Sequence, residues 1–428
     1  MRWFSALCVG AVLSALAGAS PVRADDVTIT VWSHEADEPA KVAFRNKVAA
    51  DLEKSHPGLH FKITWYEKDG LYTALRTALP AGRGPDVFYL EPDQKHQYVS
   101  AGYLMPLDDL VNWNAIYPWA REVWQENGKT WGVPQEVNDN VIFYNKDLLA
   151  KLGVTLPANG QLSQAAFLDL IKKAKAAGMT PISQGVGDRP YPGAYVLEET
   201  LLHKLGRDDY GKLWTGKLSF DDPRVVAVFT WVKQLVDAGA YPKNFMTLKL
   251  GESFYYFYSK PGTVLFPMGS FYSGRAFAPT ESGGEPPNFP LGVMLYPAMD
   301  AGACNNCVTA GIGSSFVISA ASKHPKEAAL FLDAMSTPAS TDAWINEVYE
   351  PAAMKTDTKG FSGPHAPYLN AVMASQQGAD YFIGMPLDII TAGACKDAFA
   401  QVVNSAFPGG LLTVDKAVKT MNDACYGH

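Results

Sequence analysis

The amino-acid sequence predicts an α/β protein of two or more lobes, and three observations carry that expectation. Strand-like and helix-like periodicities alternate from residue 27 onward, the pattern of a parallel sheet flanked by helices. The 428 residues exceed the roughly 100–200 that one domain commonly holds. With 47% hydrophobic residues, the chain can also bury a large core. No repeat, low-complexity tract or long flexible linker interrupts this order, and 283–290 is the one loose stretch.

Residues 27–32 alternate apolar and polar side chains and read as a strand, followed by helical spacing over 39–55. A second strand is expected over 59–65, a second helix over 71–79, and a third strand over 87–90 that ends in acidic residues. Ligands of such sheets bind beyond the carboxyl ends of the strands, which makes His34, Glu35, Glu91 and Asp93 candidates to line a site. Trp32, at the same strand end, reads equally as core or as cleft wall.

Gln135 to Asn140 then form a polar knot directly before an apolar strand at 141–144 and a helix at 146–152. Buried polar groups are costly unless hydrogen-bonded, so neighbouring side chains or a ligand must satisfy this knot. Further helices are expected near 163–177, 195–206, 223–238 and 252–258, with strands near 180–184, 263–267 and 291–295. A glycine turn, a strand and a capped helix from about Pro325 come next, where proline suits the first helical turn. The tail over 367–425 reads as mostly helical. The aromatic run from Phe254 to Tyr258 reads as core packing at helical spacing and is left outside the site.

An apolar run over 4–19 behind Arg2, with Val22, Arg23 and Ala24 at its end, reads as an export signal cleaved after residue 24. Removing Arg2 and Arg23 from the 36 basic residues leaves 34 against 43 acidic ones, a formal charge of −9. An acidic surface without basic blocks argues against nucleic acid or anionic lipid as a partner. Cys8 leaves with the signal, so Cys304, Cys307, Cys395 and Cys425 remain. An even count in an oxidising compartment points to two disulfides, Cys304–Cys307 and Cys395–Cys425, ahead of a zinc site or a redox centre. No cofactor or metal is expected.

Taken together, "TVWSHEADEP", "GRGPDVFYLEPD", "AGYLMPLDDL", "WGVPQEVNDNVIFYNKDLLAKLGV", "LFPMGSFYSG" and "AGIGSSFVIS…KHPKEAALFLDAM" resemble the family 1 extracellular solute-binding proteins of ABC importers. The group includes maltose-binding protein, and the segments stand in the family's order. The resemblance implies a periplasmic binding protein fold, two α/β lobes on a hinge of two or three crossings, with solute held in the cleft. Crossings are expected near 134–138, 297–309 and 345–350. The N-terminal lobe would comprise 25–134 and 308–345, and the C-terminal lobe 135–300 and 346–428. It further implies a periplasmic monomer that captures a small polyhydroxylated solute, a sugar first, and hands it to permease subunits.

Carried over by position, Asn138 matches a crossing residue that sugar binders often fill with a carboxylate, which brings Asp139 and Asn140 into play. Glu91 and Asp93 match the polar pair after the third strand, and Arg189 and Tyr191 a segment supplying a polar group and a stacking ring. Ser270, Phe271 and Tyr272 stand where the family usually has "GSW", so that phenylalanine and tyrosine replace a tryptophan platform; Asp388 lies in a region that also reaches the cleft. Gly311 is a turn glycine first and a backbone contact second. Two other readings stay open. The same fold can hold an amine or another cation on its acids and rings, although Arg189 opposes that. Glu91 and Asp93 could also serve a secreted glycoside hydrolase.

Overall fold

The alternating strands and helices form two sheets, each over its own apolar core. The computed structural model describes residues 26–188, 191–259, 261–356, 365–366, 370, 380–384, 386, 390 and 393–426. In the first lobe, β1 (Val27–Ser33) lies parallel to both β2 (Leu59–Trp65) and β3 (Val87–Tyr89). A small hairpin of β4 (Gln125–Glu126) and β5 (Lys129–Thr130) precedes β6 (Val133–Pro134). The sheet order is β2-β1-β3, then β12 (Ser315–Ile318) and β6, the last two pairings being antiparallel.

The second lobe is built on β7 (Val137–Asn145), which pairs with β9 (Thr263–Gly269) on one edge. Along the other edge run β10 (Leu291–Met294), at its far end, and β11 (Cys307–Ile312), at its start. Strand β8 (Thr180–Ile182) extends the sheet beyond β9, and β13 (Asp380–Ile383) extends it beyond β11.

Helix α1 spans Pro39–Ser55 with proline in its first turn, and it buries Phe44, Val48 and Leu52 against the first sheet. It also buries two cations, Lys41 and Arg45, on that inward side. Helix α2 covers Lys68–Ala78 and turns Leu71 and Leu75 inward. These elements fall where periodicity places them, because each repeats apolar residues at its own period.

Three expectations change. The strand expected at 141–144 starts four residues early: residues from Val137 onward already form β7, which takes in most of the polar knot. The helix expected at 195–206 continues as Tyr195–Trp214 through a break at Gly206, where φ is +75°. Within the tail, expected to be mostly helical, Asp380–Ile383 adds a strand that pairs in parallel with β11 from Cys307 to Ala310.

The passages between lobes follow from the pairing. The chain leaves the first sheet at β6 and enters the second at β7, so Gln135 and Glu136 form the first passage. Strand β11 pairs with β7, which puts 308–312 in the second sheet, and the return passage lies at Gly313 and Ser314 rather than at 297–309. At the passage expected near 345–350 the chain touches both lobes: Ile345 and Val348 pack in the first core, Tyr349 packs against the second with its ring 5.4 Å from Phe277, and Ala353 and Met354 return to the first, where Met354 bridges Ile116. Among the described residues the chain next pairs with the second sheet at Asp380. Both disulfides are present: Cys304–Cys307, and Cys395–Cys425 with its Cα atoms 4.5 Å apart. No helix among the described residues is long and apolar enough to cross a membrane.

Candidate functional site

The carboxyl ends of β1 and β3 face the second lobe and carry most of the predicted N-lobe candidates. Trp32 is half-buried, its ring 5.4 Å from Tyr66. The His34 ring stands edge-on to Tyr89 at 4.2 Å, and burial lowers its pKa although Glu38, Glu35 and Glu91 pull the other way. Burial alone would raise Glu91, but the Lys68 ammonium beside it more than offsets that and keeps it ionised. Its other oxygen accepts from the Tyr72 hydroxyl at 3.2 Å. Asp93 behaves differently. Burial, then the nearby Glu91 charge, pushes it up; one oxygen accepts from Gln94 at 2.9 Å, while Oδ1 is buried with no hydrogen-bond partner among the described residues.

Glu35 is not directed at the gap. It is fully buried and accepts from Arg45 Nη2 at 2.8 Å, Arg45 Nε at 3.1 Å, Ser33 at 2.9 Å and Ser314 at 3.0 Å. Arg45 also donates to Gln135. Lys41, one turn earlier, lies 2.9 Å from Glu38, 2.9 Å from Glu136 and 3.0 Å from Glu350. Burial disfavours its charge, but those carboxylates hold it protonated. Two cations of α1 therefore grip the first passage, the second through Glu35 and Ser314, and the segment after the 344–348 helix.

On the floor, β7 splits its three polar residues. Asn140 donates to Glu199 at 3.0 Å and Thr309 at 2.8 Å, inside the second lobe. Asn138 is half-buried opposite Gly311 of β11, and its Oδ1 has no partner among the described residues. Asp139 turns to the other face, where desolvation pushes its carboxyl up to about 7. Its backbone N–H donates to Ser270 Oγ at 3.0 Å, and the Ser270 N–H donates back to its carbonyl at 2.8 Å. Alternation along the strand thus separates the two asparagines from the aspartate, but only Asn138 stays near the gap.

From the second lobe, half-buried Phe271 caps a short helix at Tyr272–Ala276. Tyr272 is fully buried among Phe143, Phe266 and Phe254, with centroids at 4.8, 5.0 and 5.3 Å, so its ring belongs to that core. Arg189 and Asp388 lie outside the described residues, as does the side chain of Tyr191.

Several residues at the gap escaped the sequence reading. Arg275 of the second lobe reaches Asp37 at 3.0 Å and Glu38 at 3.6 Å. Burial raises Glu38, yet Lys41 and Arg275 together hold it ionised. The aromatic run divides by helical period: Phe254 and Phe257 enter the core, while Tyr255 and Tyr258 border a cavity of about 90 Å³ between the lobes. Glu350 also lines that cavity. The signals were faint: an acidic pair before Pro39, and a lone glutamate far along the chain.

A lined gap, polar acceptors facing it and a hinge behind it can hold a small molecule without reacting with it. Among the described residues no cluster of histidine, cysteine or carboxylate could hold a metal ion. Over 361 residues the chain is 24% identical to the Multiple sugar-binding protein of Streptococcus mutans, covering 82% of this chain and 80% of that one. It is 26% identical over 306 residues to an uncharacterized ABC transporter extracellular-binding protein of Pyrococcus horikoshii, 69% of this chain and 65% of the other. A solved chitin oligosaccharide binding protein superposes with a TM-score of 0.78 at 21% identity, over 94% of this chain and all of that one. The sequence profile described as Bacterial extracellular solute-binding protein matches residues 36–342. More than half the chain falls within that match, and the protein belongs to this family of bacterial extracellular solute-binding proteins.

Proposed function

We propose that this protein is the periplasmic receptor of an ABC importer, which captures a small polyhydroxylated solute, a sugar first, and delivers it to the permease as a monomer. The observation that carries the reading is a pair of buried acceptors at the gap, Asp93 Oδ1 and Asn138 Oδ1, that no described side chain satisfies. Such groups cost free energy until a donor reaches them, and sugar hydroxyls are donors. The neighbouring contacts are proposed to be His34, Glu91, Phe271 and the Gly311 backbone, and the family resemblance adds Arg189, Tyr191 and Asp388 as candidates for mutation. Sugar-binding names among the relatives support the same reading. The segment 1–24 is proposed to be removed on export.

No covalent step belongs to this proposal. A hydrolase would use Asp93 as the acid and Glu91 as the attacking carboxylate, but Glu91 already serves Lys68 and Tyr72. A thermal-shift screen of sugars, polyols, amines and glycerophosphodiesters tests the reading. Ligand at ~100 times its dissociation constant should stabilise the fold by about 2.7 kcal/mol. A screen in which no polyhydroxylated compound shifts the transition overturns it, and so does release of cleaved sugar on incubation.

A further inference from the structure

We propose that the cavity between the start of α1 and the aromatic helix at Leu250–Ser259 receives a protonated amine carried by the solute, so that the preferred ligand is an amino sugar. The proposal rests on the sugar-receptor reading above and names the substrate class within it. The cavity, of about 90 Å³, is lined by Asp37, Glu38 and Glu350 with their partners Lys41 and Arg275, and by the rings of Phe254, Tyr255 and Tyr258. That is room for a few waters or for the head of an amine.

Charge is the first argument. Three carboxylates line the cavity, Asp37, Glu38 and Glu350, with Glu136 beyond them, and among the described residues the ion pairs that reach this set come from two cations that also line it, Lys41 and Arg275. Among the described residues the set of four is short of positive charge by two. Burial, then the Glu136 carboxylate, pushes Glu350 well up, the response of an acid in such a deficit. The second argument is an orphan atom. Glu350 is fully buried, and its Oε1 has no hydrogen-bond partner among the described residues. A buried carboxyl left so is expensive, and an ammonium supplies both donors and charge where a hydroxyl supplies one donor alone.

The opposite wall supplies the third argument. Tyr255 is 51% exposed at the mouth, with the Tyr258 ring 5.6 Å away, and the Arg275 guanidinium stands 5.7 Å from the Phe254 ring. Rings of this kind attract cations through their faces. Space is kept by Gly274, because a side chain there would run into Glu350 Oε1.

Calorimetry on the full mature chain tests this with glucosamine and its β-linked disaccharide, each against its glucose counterpart, and with cadaverine as an amine lacking hydroxyls. The amine-bearing sugars should bind at least tenfold more tightly, and Glu350→Gln should bring the ratio of the two affinities toward one. Tyr255→Ala, at an exposed position, should lower the same ratio and serves if Glu350→Gln does not fold. Equal binding of the glucose compounds overturns the proposal and leaves the sugar receptor standing. Cadaverine bound while every saccharide fails supports the amine site and overturns the sugar reading. Silence from all ligands overturns both.

Discussion

Arg275 Nη1 of the second lobe lies 3.0 Å from Asp37 Oδ2 of the first, so an ion pair spans the gap that closure must shut. Both side chains keep about a third of their surface or more in water, so the pair is worth well under 1 kcal/mol after screening. Arg275→Ala is therefore expected to weaken solute binding only a few-fold in low salt, and hardly at all at 1 M salt, where the screening length is ~3 Å. Calorimetry at both salt concentrations checks this. An effect that persists undiminished in high salt would show that Arg275 touches solute directly.

The two asparagines of β7 should separate cleanly. Asn138→Ala should lower solute affinity while leaving the unfolding transition nearly unchanged. Asn140→Ala should remove the amide that donates to Thr309 Oγ1 and one of the donors to Glu199, whose bonds from Thr309 remain, and lower stability by about 1–3 kcal/mol. Urea unfolding and calorimetry on both variants give the two readouts, and an inverted ranking would move the binding face of the strand.

Asp139 makes a pH prediction whose sign follows from its environment. Desolvation lifts its carboxyl from 3.8 to about 7, so between those values the folded chain holds a proton that the unfolded chain has released. Its contribution to stability is thus full below about pH 4, falls as pH rises to about 7, and is level above that. Asp139→Asn should remove this decline and stabilise the protein at pH 8 by an amount on the order of 1–3 kcal/mol. Denaturation midpoints from pH 4 to 8 measure it, and parallel curves for both proteins would refute the assignment.

The disulfides should contribute unequally. Cys395–Cys425 closes a separation of 30 residues and Cys304–Cys307 one of 3. The chain-entropy relation then assigns about 3.5 kcal/mol to the first and about 2 kcal/mol to the second. Paired serine substitutions, compared by urea unfolding without reductant, should show the larger loss for the C-terminal pair.

Much of the fold was legible because regular elements repeat their apolar residues. The 17-residue span of α1 is marked by Pro39 at its start and by the spacing of Phe44, Val48 and Leu52. Strand-end acids such as Glu91 and Asp93 were legible for a topological reason, since parallel strands deliver their carboxyl ends to one side. Lys41 and Arg45 were not, because charges on a helix normally read as a solvated face, and only the fold brings Glu35, Glu136 and Glu350 to meet them. The same limit hid Tyr255 and Tyr258: period 3.6 sorts a helix into faces without saying what each face meets. The return passage was misplaced because the resemblance carries over segments and not strand pairing, and the pairing of β11 with β7 decides the matter.

The grip of α1 on the connecting strands has an inheritance consequence. Lys41 and Arg45 belong to the first lobe, yet they hold Gln135, Glu136 and Glu350 directly and Ser314 through Glu35. The machinery of bending is thus the property of one half of the molecule. The second lobe, Val137 to Ile312 together with its partners from Asp380 onward, could be exchanged for a relative's without rewriting the joint, so new ligand preferences can arise by grafting that half onto an unchanged pivot.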